Sequence, residues 1–174
     1  MGSGRSTLVI PVPEADAWIG SYRLLYDPSA RRGMPAHITL LYPFLPPDAL
    51  DGEVTRYLHR LFASTPGFRF QLTRTAEFAQ GVLFLEPEPR EPFVALTRVL
   101  VKEFGLQPYE GRIAESHPHC TVTQEADELM RREIEIKLGP ALPIQSHAGE
   151  VWLMVRDEET PWRVSERFSL DLPL

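Results

Sequence analysis

Cysteine is nearly absent from this chain of 174 residues: Cys120 stands alone. No intrachain disulfide can therefore form, which fits a reducing cytoplasm. No apolar run approaches the roughly 20 residues that a membrane-spanning helix needs, so no membrane partner is expected. The N-terminus lacks the charged-then-apolar layout of a secretory signal, and Met1-Gly2-Ser3-Gly4 reads as a loose leader. Positive charge is in deficit too, with 18 basic against 24 acidic residues and a formal charge of −6. That balance argues against gripping long duplex nucleic acid through a broad basic surface. It leaves room for a small nucleotide held by a few neutral donors. What is present is ordinary for a globular protein, with 43% hydrophobic and 24% charged residues. The length suits a single domain, 1–174, or two small lobes sharing a core. Prolines are plentiful, and most fall between periodic segments, where they end strands and start helices.

The coarse element order follows from those breaks. Thr7 to Val12 is a β-rich run, and Glu14 to Tyr26 is a helix carrying Ala17, Trp18, Tyr22, Leu25 and Tyr26 at helical spacing. Asp27-Pro28 stops it, and a basic, small-residue loop from Ser29 to Met34 leads to a strand at His37. Asp48 is the expected N-cap of a second helix running to about Ala63. Phe68 to Leu72 alternates as a strand, with Thr75 to Phe78 a further extended piece. The pattern then restarts. Gly81 to Leu85 is a strand, Pro92 to Phe104 a helix ended by Gly105, and Gln107 to Ser116 a loop leading to a strand at His119. Glu125 to Leu138 is the next helix, followed by strands at Ile144 to His147, Glu150 to Val155 and Phe168 to Leu170.

Two stretches give this repeat its meaning. Pro35-Ala36-His37-Ile38-Thr39-Leu40-Leu41-Tyr42-Pro43-Phe44 and His117-Pro118-His119-Cys120-Thr121-Val122-Thr123 both contain His-x-Thr followed by an apolar residue. In a strand, side chains alternate faces, so His37 and Thr39 point one way and Ile38 and Leu40 the other. His119 and Thr121 repeat the arrangement. The two histidines lie 82 residues apart, close to half the chain, in matching places of the repeat. An internal duplication is therefore expected, with halves of roughly 5–80 and 81–174 bringing both histidines to one cleft. Two imidazoles and two hydroxyls there form a kit for phosphodiester chemistry.

These motifs, and His37-Ile38-Thr39-Leu40-Leu41-Tyr42-Pro43-Phe44 in particular, resemble the two-histidine phosphoesterase superfamily and its 2′-5′ RNA ligase-like branch. The resemblance implies an α+β fold of two lobes, each an antiparallel sheet facing a central cleft with helices on its outer side. It implies metal-independent chemistry on 2′,3′-cyclic or 2′-5′ linked phosphodiesters of nucleotides or RNA ends, with no cofactor and the chain acting as a monomer. His37 and His119 would be the acid/base pair, and Thr39 and Thr121 would bind the substrate phosphate. Some members carry a basic residue just after the second motif, where this chain has Val122-Thr123-Gln124.

Histidine suits this chemistry because its ordinary pKa of about 6.5 populates both proton states near neutrality. One neutral and one protonated ring on opposite sides of the phosphorus would serve in-line displacement, with the roles exchanged for ligation. The sequence leaves open which ring is which. Tyr42 and Phe44 are candidates for stacking on a base. Phe78 and Trp152 either line the cleft or fill the lobes, with packing favoured. Arg31 and Arg32 are expected as exposed loop residues, and Cys120 as an inert core thiol. His117 reads as a loop residue at the cleft rim, and His59 and His147 as solvated or capping residues. Two other classes stay open: a nucleotide-binding module of the same fold without turnover, and a metal-dependent hydrolase built on His117 and His119.

Overall fold

Strict alternation along the two motif strands sets the architecture. The computed structural model describes residues 4–111 and 117–171. The strands are β1 (Arg5–Pro11), β2 (His37–Leu41), β3 (Phe68–Glu77), β4 (Leu83–Glu88), β5 (Cys120–Thr123), β6 (Ile144–Ala148), β7 (Glu150–Arg156) and β8 (Arg163–Ser169). The helices are α1 (Pro13–Tyr26), α2 (Pro28–Arg31), α3 (Gly52–Ala63), α4 (Glu91–Phe104) and α5 (Glu128–Leu138). Ile38, Leu40, Cys120 and Val122 are buried, whereas His37, Thr39, His119 and Thr121 between them are only partly so. One face of each motif strand is therefore core, and the other is reached by solvent.

The strands form one curled antiparallel sheet in the order β6-β3-β4-β5-β2-β1-β7-β8. Two separate sheets were expected; instead β2 and β5 pair through Ile38 and Cys120 and join both sets of four. Pairing removes the rows of unsatisfied N–H and C=O groups that two free inner edges would present. The repeated order is present as β1-α1-β2-α3 and β4-α4-β5-α5. Each set of four nevertheless draws on both halves of the sequence, because β3 pairs with β4 while β7 pairs with β1. The helices crowd one side of the sheet: α1 against β5, α4 against β2, and α3 against β8. Thr97 on α4 donates to the Leu40 carbonyl at 2.8 Å. The other side carries both His-x-Thr pairs.

Several local expectations shift for physical reasons. Asp51, not Asp48, caps α3, its carboxylate accepting from the Glu53 and Val54 amides, because Pro47–Ala49 first makes a 3₁₀ turn. The loop after α1 contains the one-turn helix α2, which Asp27 caps by accepting from the Ser29 amide. The buried face of α1 is Ala15, Ile19 and Arg23, while Trp18 and Leu25 are exposed. Gly105 ends α4 as expected, at φ 63°, where a Cβ would be strained. Part of the expected loop from Gln107 to Ser116, namely 112–116, lies outside the described residues.

Candidate active site

The pairing of Ile38 with Cys120 fixes the site. In antiparallel register it places His37 across from Thr121 and Thr39 across from His119. Side chains directly opposite have Cβ atoms about 5 Å apart, and diagonal partners sit at up to about 8 Å. The two imidazoles thus occupy one diagonal of a small diamond and the two hydroxyls the other. The sheet brings all four predicted residues together.

Both rings are held in the same way. His37 Nδ1 lies 2.7 Å from the Pro35 carbonyl oxygen, and His119 Nδ1 lies 2.7 Å from that of His117. A carbonyl can only accept, so each Nδ1 donates, and each neutral ring keeps its free lone pair on Nε2. Burial, reinforced by the charge of Arg23, lowers the His37 pKa to about 4; the Pro35 carbonyl and Asp27 oppose the fall, and a charge on His119 adds to it. Burial also lowers His119, against the pull of its bond to the His117 carbonyl. Burial thus disfavours the charged form of both rings in the free protein.

The surroundings of the two rings differ. Around His119 are Phe78, edge-on at 4.9 Å between centroids, and Phe84 at 5.5 Å. Both also pack against His117, whose Nε2 lies 3.3 Å from the Glu86 carboxylate. Burial alone would raise the Glu86 pKa, but its bond to Arg74 and the nearby charges of Arg74 and His117 bring it below the ordinary value. Phe78 therefore belongs to the cleft, contrary to the packing expectation. Trp152 sits on the same face in register with Val9, its indole N–H donating to Glu150 at 2.8 Å. With Pro11, Glu14, Asp16, Pro35 and His147, it lines a cavity of about 390 Å³ beside the His37 strand.

Tyr109 was not foreseen. Its hydroxyl hydrogen-bonds the Thr39 side chain, and its amide donates to the Tyr42 carbonyl at 2.6 Å. Burial pushes the Tyr109 phenol up, with the Thr39 bond opposing. The signal for it was only its place in the loop before His119. Tyr42 stands at the cleft edge, its ring 6.1 Å from that of Tyr109 and 6.5 Å from that of Trp162. Phe44 does not stack at the cleft: it is buried against Phe104 at 4.9 Å, because it follows β2 onto the helix side.

The remaining polar candidates serve the scaffold. Asp27 accepts from Arg23 at 3.0 Å, from the Ser29 hydroxyl at 2.8 Å and from Gln124 Nε2 at 3.1 Å, in a buried network that ties α1 to the end of β5. Gln124 is thus turned away from the cleft. Arg31 pairs with Glu125 at 2.6 Å on the surface. Cys120 is fully buried, and burial pushes its thiol up to about 12. His59 lies 3.4 Å from Glu166. Among the described residues, no group of three or more His, Cys, Asp or Glu side chains could hold a metal ion, and no helix is long and apolar enough to cross a membrane.

Known proteins resemble this chain in sequence and in fold. The sequence model of the 2′-5′ RNA ligase superfamily matches residues 11–160. A candidate phosphoesterase of Geobacillus thermodenitrificans is 36% identical over 73 residues, 41% of this chain and 42% of that protein. Another, from Geobacillus kaustophilus, is 29% identical over 86 residues, 48% of this chain and 49% of that protein. The chain thus spans under half the length of the curated relatives it matches. E. coli LigT complexed with 3′-AMP has a similar fold, at TM-score 0.60 and 18% identity over 95% of this chain and 97% of LigT. TT0787 of Thermus thermophilus does too, at TM-score 0.63 and 19% identity over 98% and 100% of the two chains. The match across residues 11–160 takes in both His-x-Thr strands, and the chain belongs to the 2′-5′ RNA ligase superfamily.

Proposed function

We propose that the protein is a metal-independent phosphodiesterase acting on 2′,3′-cyclic or 2′-5′ linked phosphates of nucleotides or RNA ends, and able to run in reverse as a ligase. One observation carries the reading: both histidines donate through Nδ1 to the carbonyl two residues back, which leaves two Nε2 atoms free beside two threonine hydroxyls. A binding module has no need for two such groups. In hydrolysis of a cyclic phosphate, His37 takes a proton from water as the oxygen attacks phosphorus. His119 gives a proton to the departing ribose oxygen. The assignment rests on charge: Arg23, the largest influence after burial, disfavours a proton on His37, and no arginine among the described residues acts in this way on His119. The bound phosphate anion supplies the attraction that keeps His119 protonated. Thr39 and Thr121 donate to the non-bridging oxygens, and these bonds strengthen as negative charge gathers there. LigT has been crystallised with 3′-AMP and with ATP, which is consistent with a nucleotide in this cleft.

Turnover of 2′,3′-cyclic mononucleotides and of a 2′-5′ linked dinucleotide, in EDTA, tests the reading beside His37→Ala and His119→Ala. Each substitution is expected to cost roughly 10²–10⁴-fold. Wild-type rates in either variant would sink the mechanism, and loss of activity in EDTA alone would point to a metal.

A further inference from the structure

A second group of side chains shares the face of the histidines, and its interpretation rests on the reading that a phosphodiester binds there. Moving away from the site, β1 and β7 stay in unbroken register from Val9 and Trp152 through Thr7 and Met154 to Arg5 and Arg156. Alternation puts Arg5 and Arg156 on the face of Val9, which is the partner of Thr39. Two guanidinium groups directly opposite one another repel. Arg5 has compensation: it donates to the Tyr42 hydroxyl at 2.7 Å, and Glu110 and Glu158 lie within electrostatic reach. Arg156 has less. Its guanidinium carbon sits 5.3 Å from the centroid of the Trp162 ring, while Nε and Nη1 are buried with no hydrogen-bond partner among the described residues. Buried N–H groups in folded proteins are almost always paired, and the planar guanidinium fork matches the oxygens of a phosphate. The Trp162 ring lies against Arg156, and the Tyr42 ring, 6.5 Å from that of Trp162, follows directly on the His37 strand. Four residues of strand separate the Thr39 row from the Arg5–Arg156 row, or about 13 Å. One nucleotide and the reach of an arginine side chain close that gap.

We propose that Arg156, flanked by Trp162 and assisted by Arg5, binds a second phosphate of the substrate, so that the protein prefers cyclic phosphodiesters bearing an additional phosphate on the 5′ side over those ending in a 5′-hydroxyl. Trp162 holds the guanidinium plane in place, and the Tyr42 ring offers a surface for the intervening nucleoside. This also accounts for how an acidic protein with Gln124 after the second motif recognises an anionic substrate: the positive charge comes from β7 instead.

Calorimetric titration separates this proposal from the catalytic one. The His37→Ala/His119→Ala protein is titrated with adenosine 2′,3′-cyclic phosphate, with and without a 5′-phosphate, and the same is done with Arg156→Gln added. The expected result is about tenfold or greater preference for the 5′-phosphorylated form with Arg156 present, falling to near one without it. Equal affinity for both forms, a preference that survives Arg156→Gln, or binding of neither form would overturn the proposal. Arg156→Lys, which keeps the charge and loses the fork, should retain part of the preference and serves if the glutamine variant fails to fold. A preference in a protein whose wild type turns over neither compound would sink the catalytic reading and leave this one standing.

Discussion

His37 should make the protein's stability depend on pH in a way that one substitution removes. In the unfolded chain its imidazole titrates near 6.5, whereas in the folded protein burial and Arg23 lower that to about 4. Between those values the unfolded state binds a proton that the folded state refuses, so stability falls as pH drops from 6.5 towards 4. At pH 7.5 both states are neutral at this position and the contribution vanishes. At pH 5 the shift corresponds to about 2 kcal/mol against folding. That is an upper figure, since solvent in the cleft reaches the ring. His37→Gln removes the titrating group. Urea unfolding followed by tryptophan fluorescence, at pH 7.5 and pH 5.0, gives the comparison. The wild type should lose up to about 2 kcal/mol more than the variant between the two conditions, whatever their offset at pH 7.5. Because His119 is present in both proteins, its share largely cancels. Parallel pH profiles would show that the His37 ring is not held neutral, and the case for it as the base would go with them.

Three further outcomes follow from the geometry. Asp27→Ala strands Arg23, both side chains being at most 3% exposed, and should cost about 3–5 kcal/mol in chemical denaturation; a loss under 1 kcal/mol would mean the pair is not buried in solution. Tyr109→Phe removes the bond to the Thr39 hydroxyl and should lower kcat/KM about fivefold, corresponding to roughly 1 kcal/mol, with the fold intact by circular dichroism. An unchanged kcat/KM would place Tyr109 outside the reaction. Cys120 should stay unmodified by a thiol-disulfide reagent in native protein and react fully in denaturant, since burial keeps the thiol protonated; rapid native labelling would contradict the core assignment.

The motif strands could be read from the sequence because a period of two is local: four residues such as His37-Ile38-Thr39-Leu40 suffice to say which side chains share a face. The direct pairing of Ile38 with Cys120 could not, since nothing in either segment names its partner 82 residues away. For α1, large apolar residues drew attention to Trp18 and Leu25, yet the inward face is Ala15, Ile19 and Arg23. A buried arginine becomes intelligible only once Asp27 is known to lie beside it. Glu86 and Arg156 escaped notice for a related reason. Each lies towards the end of a largely apolar strand, and its role depends on what the neighbouring strand places opposite. Phe44 looked like a companion to Tyr42, but beyond the end of β2 the chain has already turned onto the helix side.

The exchange of strands between the two sets of four has a temporal side. β1 leaves the ribosome before the other strands of this sheet, yet its neighbour β7 is synthesised almost 150 residues later, on the order of ten seconds at typical elongation rates. Until then β1 can pair only with β2, and the side that will receive β7 stays open. β3 in turn must wait for β4 rather than zip onto the strands made before it. A nascent chain stalled midway thus holds a sheet with an unpaired edge, the kind of surface that general chaperones engage.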